Sequence, residues 1–420
     1  QASASIGLME TTMWLLGSIC SAAAAGFYVQ VSHQLGSNDP ARARNTLRQG
    51  IMSVLVVSAL IGLVSLAVSP FLPVWLGGGS DITPTASAYF AIVATALPIF
   101  QFSIFGAGML RSSGNMVVPS VMSVVMMSLD VVFNFFLIFP TRPVQLFGAE
   151  VTIPGMGMGV VGAAIGTVSA ELVAASITMY ILCFRSKELS LRIDTGRFLP
   201  TWGVVKRALH ISLPMGLQQT IMCSAYVMTT IIIAPLGTFA IAANSFGVIV
   251  ESLCYMPGYG IADAATTLVG QSIGAGRHEL MKRFAWLSVG LGVTVMAVMG
   301  VVMYVGAPVA MAMMTPAEEV RRLGVEVLRI EAFAEPMFAA AIVSYGVFVG
   351  AAKTLVPSIM NLVSIWGVRI SLAALLAPSM GLRGVWIAMC IELCFRGFIF
   401  LVKLKFWNIQ TSCNHYGKDQ

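Results

Sequence analysis

Charge is scarce in this sequence. Asp, Glu, Lys and Arg make up 10% of its 420 residues, against 57% hydrophobic residues, whereas a soluble domain carries about 25% charged residues. An aqueous fold has no way to hide that much apolar surface. Histidine is scarcer still, with four scattered copies. Of the seven cysteines, Cys20, Cys183, Cys223, Cys254, Cys390 and Cys394 fall inside apolar runs, only Cys413 lies outside, and none has metal-ligand spacing. They read as small core residues, and no metal or other cofactor is expected. No HExxH, GxSxG or paired-histidine pattern lies within the apolar runs, which argues against an intramembrane hydrolase and for a protein that is not an enzyme. The net charge of +6 comes without a sustained basic stripe or interleaved aromatics, so nucleic acid is not an expected partner. No basic segment precedes the first apolar run, which therefore does not read as a cleaved leader.

What the sequence has in quantity is long apolar runs. They cover residues 3–31, 50–75, 86–109, 117–139, 157–183, 210–234, 240–269, 284–308, 325–350, 357–377 and 384–404. A span needs roughly 20 apolar residues to cross ~30 Å of hydrocarbon. The runs are continuous rather than alternating, which predicts helices and not a barrel. Eleven transmembrane helices in a lipid bilayer are thus expected.

Lys and Arg near span ends are retained on the cytoplasmic side. Placing Arg42, Arg44 and Arg48 inside fixes the other loops. Arg111, Arg185, Lys187, Arg192, Arg197, Lys206, Arg207, Arg277, Lys282, Arg283, Lys353, Lys403, Lys405 and Lys418 then also fall inside, while Arg142, Arg321, Arg322 and Arg383 fall outside. Arg329, Arg369 and Arg396 lie within spans. This orientation places the C-terminus in the cytoplasm and Gln1 outside.

The chain also repeats itself. Ser32-His33-Gln34-Leu35-Gly36 stands 238 positions before Gly270-Gln271-Ser272-Ile273-Gly274, and the same offset maps Val118-Pro119-Ser120 onto Val356-Pro357-Ser358. After a shorter loop, Gly159-Val160-Val161-Gly162 corresponds to Gly381-Leu382-Arg383-Gly384. The run at 210–234 has no partner in the first half. The expected architecture is therefore all-α and polytopic, with two pseudo-symmetric six-helix lobes, the first short by its opening helix. Its parts are an N-terminal lobe of five spans at 1–184, a basic cytoplasmic linker at 185–207, a C-terminal lobe of six spans at 208–405 and a tail at 406–420. A parallel repeat of this kind favours a cavity between two bundles.

An ionisable side chain inside a span costs about 2.5–3.5 kcal/mol, so each needs a partner, water or a function. Asp130 lies mid-span with Asn134 at i+4, on one helical face. A carboxyl group in a low dielectric can exchange a proton near neutral pH, and an amide oxygen suits a metal cation. The pair is the leading candidate for a coupling ion, against the alternative that both residues only hydrogen-bond a neighbouring helix. Glu251 is a second mid-span acid, with helix-to-helix bonding as the competing explanation. Glu335 precedes Pro336, where a kink frees a carbonyl. Glu392 and Arg396, at i and i+4, are expected to neutralise one another. Gln218, Gln219 and Tyr226 are candidate cavity-lining polar groups, and the 26 Met and 23 Phe offer soft surfaces for organic cations.

Three segments resemble the multidrug and toxic compound extrusion (MATE) family of secondary transporters. The first is Met256-Pro257-Gly258-Tyr259-Gly260-Ile261, Ala264 to Val269 and Gly270-Gln271-Ser272-Ile273-Gly274-Ala275-Gly276-Arg277, similar to the family's helix end and GQxxGAG loop. The second is Gly367-Val368-Arg369-Ile370 with Leu372, followed by Gly381-Leu382-Arg383-Gly384-Val385-Trp386-Ile387-Ala388. The third, Gly108-Met109-Leu110-Arg111-Ser112-Ser113-Gly114-Asn115, resembles the turn G-x-L-R-G-x-G-D with Asn in the acidic position. The resemblance implies two six-helix lobes forming a V around a central cavity. It also implies an antiporter that exports organic, often cationic, compounds in exchange for H+ or Na+, here taken as a monomer of a bacterial-type inner membrane. By position, Asp130 stands at a family Asn, Asn134 at a family Asp and Thr167 at a family Thr. The family's second-lobe Glu has no counterpart at 214–223. Movement of a lipid-linked or metabolite anion, or an inactive truncated homologue, are the alternatives carried forward.

Overall fold

The computed structural model describes every residue except 1, 77, 78, 80, 81, 147, 148 and 408–420, and for residues 2–5, 7, 8 and 142–153 only the backbone. Gln1, the Arg142 side chain, Cys413 and Lys418 therefore lie outside the described residues. The helices are α1 (Ala2–Gly36), α2 (Pro40–Val68), α3 (Leu72–Trp75), α4 (Thr83–Thr95), α5 (Leu97–Ser112), α6 (Val117–Ile138), α7 (Gly159–Tyr180) and α8 (Trp202–Ile233). They continue as α9 (Thr238–Gly274), α10 (His278–Met314), α11 (Glu318–Glu331), α12 (Glu335–Gly350), α13 (Leu355–Val363), α14 (Ser371–Met380) and α15 (Leu382–Lys405). Wider π-helical turns extend α7 over Ile181–Arg185 and join α13 to α14 over Ser364–Ile370.

Nine helices among the described residues are long and apolar enough to cross a membrane. The pairs α4 with α5 and α11 with α12 bring the number to 11 if each bent pair is one span, the bends being 48° and 59°. Pro98 and Pro336 stand at the breaks, in the first turns of α5 and α12, where the missing amide hydrogen is tolerated. Several helices outlast their apolar runs. Residues 202–207, expected in the linker, form the opening turns of α8. Between α6 and α7 the chain makes an antiparallel hairpin, β1 (Pro140–Leu146) with β2 (Ala149–Met156), Val144 facing Val151. Apolar patterning gave no notice of it, since it lies in the interval between two spans.

The internal repeat is visible in the backbone. Asn38 and Gly276, 238 positions apart, both adopt the left-handed conformation with φ of 60° and 68°, and so do Gly114 and Ala352 at the same offset, with φ of 83° and 56°. Their hydrogen bonds repeat too. Asp39 N donates to Gln34 O and Arg277 N to Ser272 O, while Asn115 N donates to Leu110 O and Lys353 N to Phe348 O, each closing a helix end. Gly159 and Gly381, at φ of 57° and 61°, form the third pair. Ala352 carries the side chain that left-handed geometry disfavours, so its turn is held by the bonds from Ala352 N to Val349 O and Lys353 N to Phe348 O rather than by local preference.

Two compact units divide the chain, Gln1–Gly216 and Leu217–Gln420. The division falls inside α8 because Ala208 is buried among Phe27, Leu47 and Phe105 of the first unit. The linker is docked on that unit as well. Leu189 is fully buried with Leu47 and Leu182. Asp194 accepts from Arg44 Nε and Arg48 Nη2, each at 2.7 Å, while Arg44 Nη1 donates to Glu188 O at 2.9 Å. Gln49 Oε1 receives both Thr201 N and Thr201 Oγ1 at 2.9 Å. Basic residues that sequence analysis reads only as topology signals are thus anchors for the linker.

The Arg48 hydrogen bond, with Arg44 beside it, holds the Asp194 carboxyl below the usual aspartate range. A depressed carboxyl stabilises the fold above its unfolded value of about 3.9, and that stabilisation is lost as pH falls through the lower native value. Asp194→Asn is expected to cost about 1–3 kcal/mol at neutral pH by leaving two buried guanidinium groups short of an acceptor. The gap in melting temperature between the variant and the wild type should close as the pH is lowered below about 4.

The second unit has its own core. Trp386, Phe348 and Phe400 are among its fully buried side chains. α12 lies close against α9, because Gly346 and Gly350 let the backbones approach and Thr266 Oγ1 donates to Gly346 O at 2.8 Å.

Candidate functional site

In the first unit, α6 and α7 run side by side, and Asn134 Oδ1 sits directly against Gly166, where a Cβ would collide with it. Thr167, half-buried, is the next residue on α7. Asp130 lies one turn before Asn134, within electrostatic reach of Glu171 on α7 and of Tyr89 on α4. Glu171 is buried and hydrogen-bonded to Ser103 of α5. Asp130 Oδ1 and Asn134 Oδ1 are buried and have no hydrogen-bond partner. No hydrogen bond among the described residues joins Asp130, Asn134 and Thr167. The structure therefore sets Asn134 against α7 at Gly166, next to Thr167, and brings Asp130 within electrostatic reach of Glu171, to which sequence reading gave no role. The simple alternative, in which Asp130 and Asn134 serve as helix-to-helix bonds, leaves these two oxygens unaccounted for.

The second unit holds a larger charged cluster. Glu331 ends α11 and Glu335 opens α12, so the proline-induced bend places two carboxyl groups on adjacent turns. Both are 1% exposed, and all four of their carboxyl oxygens are buried without a hydrogen-bond partner. Gly300 on α10 leaves room for the bend, since a Cβ there would meet Ala332 O and the Glu335 side chain. Glu331 lies within electrostatic reach of Glu251, Glu335, Glu392 and Arg369. Glu392 is neutralised as expected, with Arg396 Nε at 2.9 Å from Oε1 and Nη2 at 3.0 Å from Oε2. Ser364 Oγ donates to the same Oε1 at 2.6 Å.

The wide turn at Ser364–Ile370 carries Ser364 and Arg369, and such turns re-aim side chains off the regular helical face. Arg369 lies over the Tyr226 ring at 5.9 Å and against Met389, with its Nε buried and without a partner. Arg369, Arg396, Glu251, Tyr226, Tyr255 and Tyr259 line a cavity of about 80 Å³. A water needs about 10–15 Å³ of such space, whereas drug-sized ligands occupy pockets of about 300–1,000 Å³. This chamber fits an ion with its waters and not an organic molecule. Of the residues singled out from the sequence, Glu251 and Tyr226 meet in it and Glu335 is buried beside Glu251. Gln218 is buried one turn before Met222, with Nε2 at 3.5 Å from its Sδ, and neither Gln218 nor Gln219 lines the chamber. Sequence reasoning missed Glu331. Its signal was the spacing Glu331-Ala-Phe-Ala-Glu335-Pro336, which puts two acids at i and i+4 ahead of a helix-breaking residue.

Repeated lobes of apolar helices with unpartnered carboxyl groups in their interiors define a polytopic carrier rather than a catalyst. The MatE family matches residues 1–136 and 214–375, and the chain belongs to this family of multidrug efflux transporters. A probable multidrug resistance protein NorM of Thermotoga maritima is 25% identical over 411 residues, covering 96% of this chain and 84% of that one. Its counterpart in Chromobacterium violaceum is 27% identical over 398 residues, covering 93% and 82%. Among solved structures, a multidrug resistance MATE family transporter in an outward-facing conformation superposes with a TM-score of 0.85 at 19% identity, covering 96% of this chain and 87% of that chain. A transporter of the same superfamily from Pyrococcus furiosus gives the same TM-score, 0.85, also at 19% identity. At that identity the likeness fixes the fold alone.

Proposed function

We propose that this chain is a secondary antiporter that exports organic, cationic drug-like compounds in exchange for H+ or, as the lesser alternative, Na+. The observation that carries this reading is the set of buried carboxyl oxygens without partners: Asp130 in the first unit, Glu331 and Glu335 in the second. The second cluster sets Glu251, Glu331, Glu335 and Glu392 against only Arg369 and Arg396. Carboxylates in excess of their counter-charges are costly in a low dielectric, and a bound proton or cation removes that cost. Asp130, Asn134 and Thr167 are assigned as the coupling site of the first lobe, with Glu251 and Glu335 as its counterpart in the second. The chain acts as a monomer in an inner membrane of bacterial type, with residues 185–207 and the C-terminus cytoplasmic. The names of the NorM relatives support the multidrug reading. A second reading, movement of an anionic metabolite, is favoured only by the unpartnered Nε of Arg369.

Proteoliposomes containing the chain, given an imposed pH or Na+ gradient and a fluorescent cationic dye, test the proposal. Dye is expected to move when the gradient is present and to stop when an ionophore collapses it. Transport indifferent to both gradients, or absent under both, would sink it.

A further inference from the structure

A groove of about 370 Å³ opens on the surface of the second unit where α10, α11 and α15 meet, lined by Tyr304, Arg329, Ile330, Phe333, Ile387 and Ile391. We propose that this groove binds an anionic phospholipid, its phosphate on the Arg329 guanidinium and an acyl chain against the aromatic and aliphatic wall.

The position is set by α10. Between Trp286 and Tyr304 its exposed side chains include Leu287, Leu291, Val298, Val301 and Val302, the composition of a face turned to lipid. Trp286 and Tyr304 are both partly exposed on this helix. Their separation of 18 residues corresponds to about 27 Å, close to the ~30 Å thickness of the hydrocarbon. Trp and Tyr concentrate at the two membrane–water boundaries. Tyr304 thus marks the boundary at the end of α10 away from Lys282 and Arg283, and the groove lies at headgroup depth.

At that depth Arg329 is exposed and held in place. Its guanidinium stacks over the Tyr304 ring at 5.2 Å, and its Nε donates to Tyr304 O at 3.4 Å. Its neighbours have carboxylates: Arg383 pairs with Glu326 at 2.6 Å and Arg396 with Glu392. No acidic side chain among the described residues pairs with Arg329. A guanidinium at the edge of hydrocarbon is costly unless it meets an anion or water, and phosphate is the anion a bilayer surface supplies, matched to the guanidinium fork. A lipid of net negative charge is preferred over a zwitterionic one because no headgroup amine competes for the phosphate.

Native mass spectrometry of the purified, delipidated full chain tests this. The probes are phosphatidylglycerol and phosphatidylcholine of matched acyl chains, offered in equal amounts. Wild type is expected to retain phosphatidylglycerol about fivefold over phosphatidylcholine, the preference one basic residue gives near a membrane surface. Arg329→Gln should bring the ratio close to one, while Arg322→Gln, outside the groove, should leave it high. Ile391→Trp, which fills the groove and keeps the charge, should reduce retention of both lipids. Equal retention of the two lipids by wild type, an unchanged ratio in Arg329→Gln, or undiminished retention in Ile391→Trp each overturns the proposal.

Discussion

Asp130→Asn is expected to abolish export of a fluorescent cationic dye, lowering efflux to that of cells without the transporter, while leaving the amount of folded protein unchanged. The substitution keeps the shape of the side chain and removes its negative charge and its capacity to carry a proton. Asp130 Oδ1 has no hydrogen-bond partner, so little packing is lost with the charge. The neighbouring Glu171, hydrogen-bonded to Ser103, stays in place to hold the α5–α7 contact. Efflux and melting temperature measured side by side separate the two roles. Undiminished efflux in Asp130→Asn would remove it as the coupling acid, and loss of efflux with an equal loss of folded protein would make it a structural residue.

Glu392→Ala should be the most destabilising single change at the buried cluster, costing about 3–5 kcal/mol. Glu392 is fully buried and accepts from both Arg396 and Ser364. Its removal takes from the Arg396 guanidinium its paired carboxylate in a low dielectric, leaving the Phe338 ring at 5.5 Å and the more distant charge of Glu251. Replacing both partners together, Glu392→Met with Arg396→Met, removes the stranded charge and is expected to recover most of the loss. Thermal unfolding in detergent reads both variants. A double variant no more stable than Glu392→Ala would show that the pair contributes through packing rather than charge.

Particular residues show what was legible and what was not. The helix–loop–helix ends that repeat every 238 positions could be read directly, because left-handed turns need Gly or Asn and those residues punctuate the sequence. Ala352 was the exception, and its left-handed φ of 56° follows only from its place opposite Gly114. Asp130 and Asn134 were legible because i and i+4 share a helical face. Their proximity to Gly166 and Glu171 was not, since it depends on the rotation of α7. Glu331 falls inside the run at 325–350, but its meeting with Glu335 and Glu251 was not legible, since it depends on the 59° bend between α11 and α12. Arg369 was visible as an intramembrane base, but only the wide turn around it aims it at Tyr226.

The sequence by itself determined the membrane character, the eleven apolar runs, the repeat and the family, for all of these depend on composition and on spacing along one chain. Tertiary structure decided which buried charges meet. It paired Glu392 with Arg396 and Ser364, left Glu331 and Glu335 without hydrogen-bond partners, docked the linker on Arg44 and Arg48, and left Arg329 exposed over the Tyr304 ring. The physical reason is that helix periodicity fixes a face only relative to its own axis. How each axis is rotated and bent against its neighbours depends on packing between distant segments, and in a low dielectric that rotation decides whether a charge is paired, solvated or available to an ion.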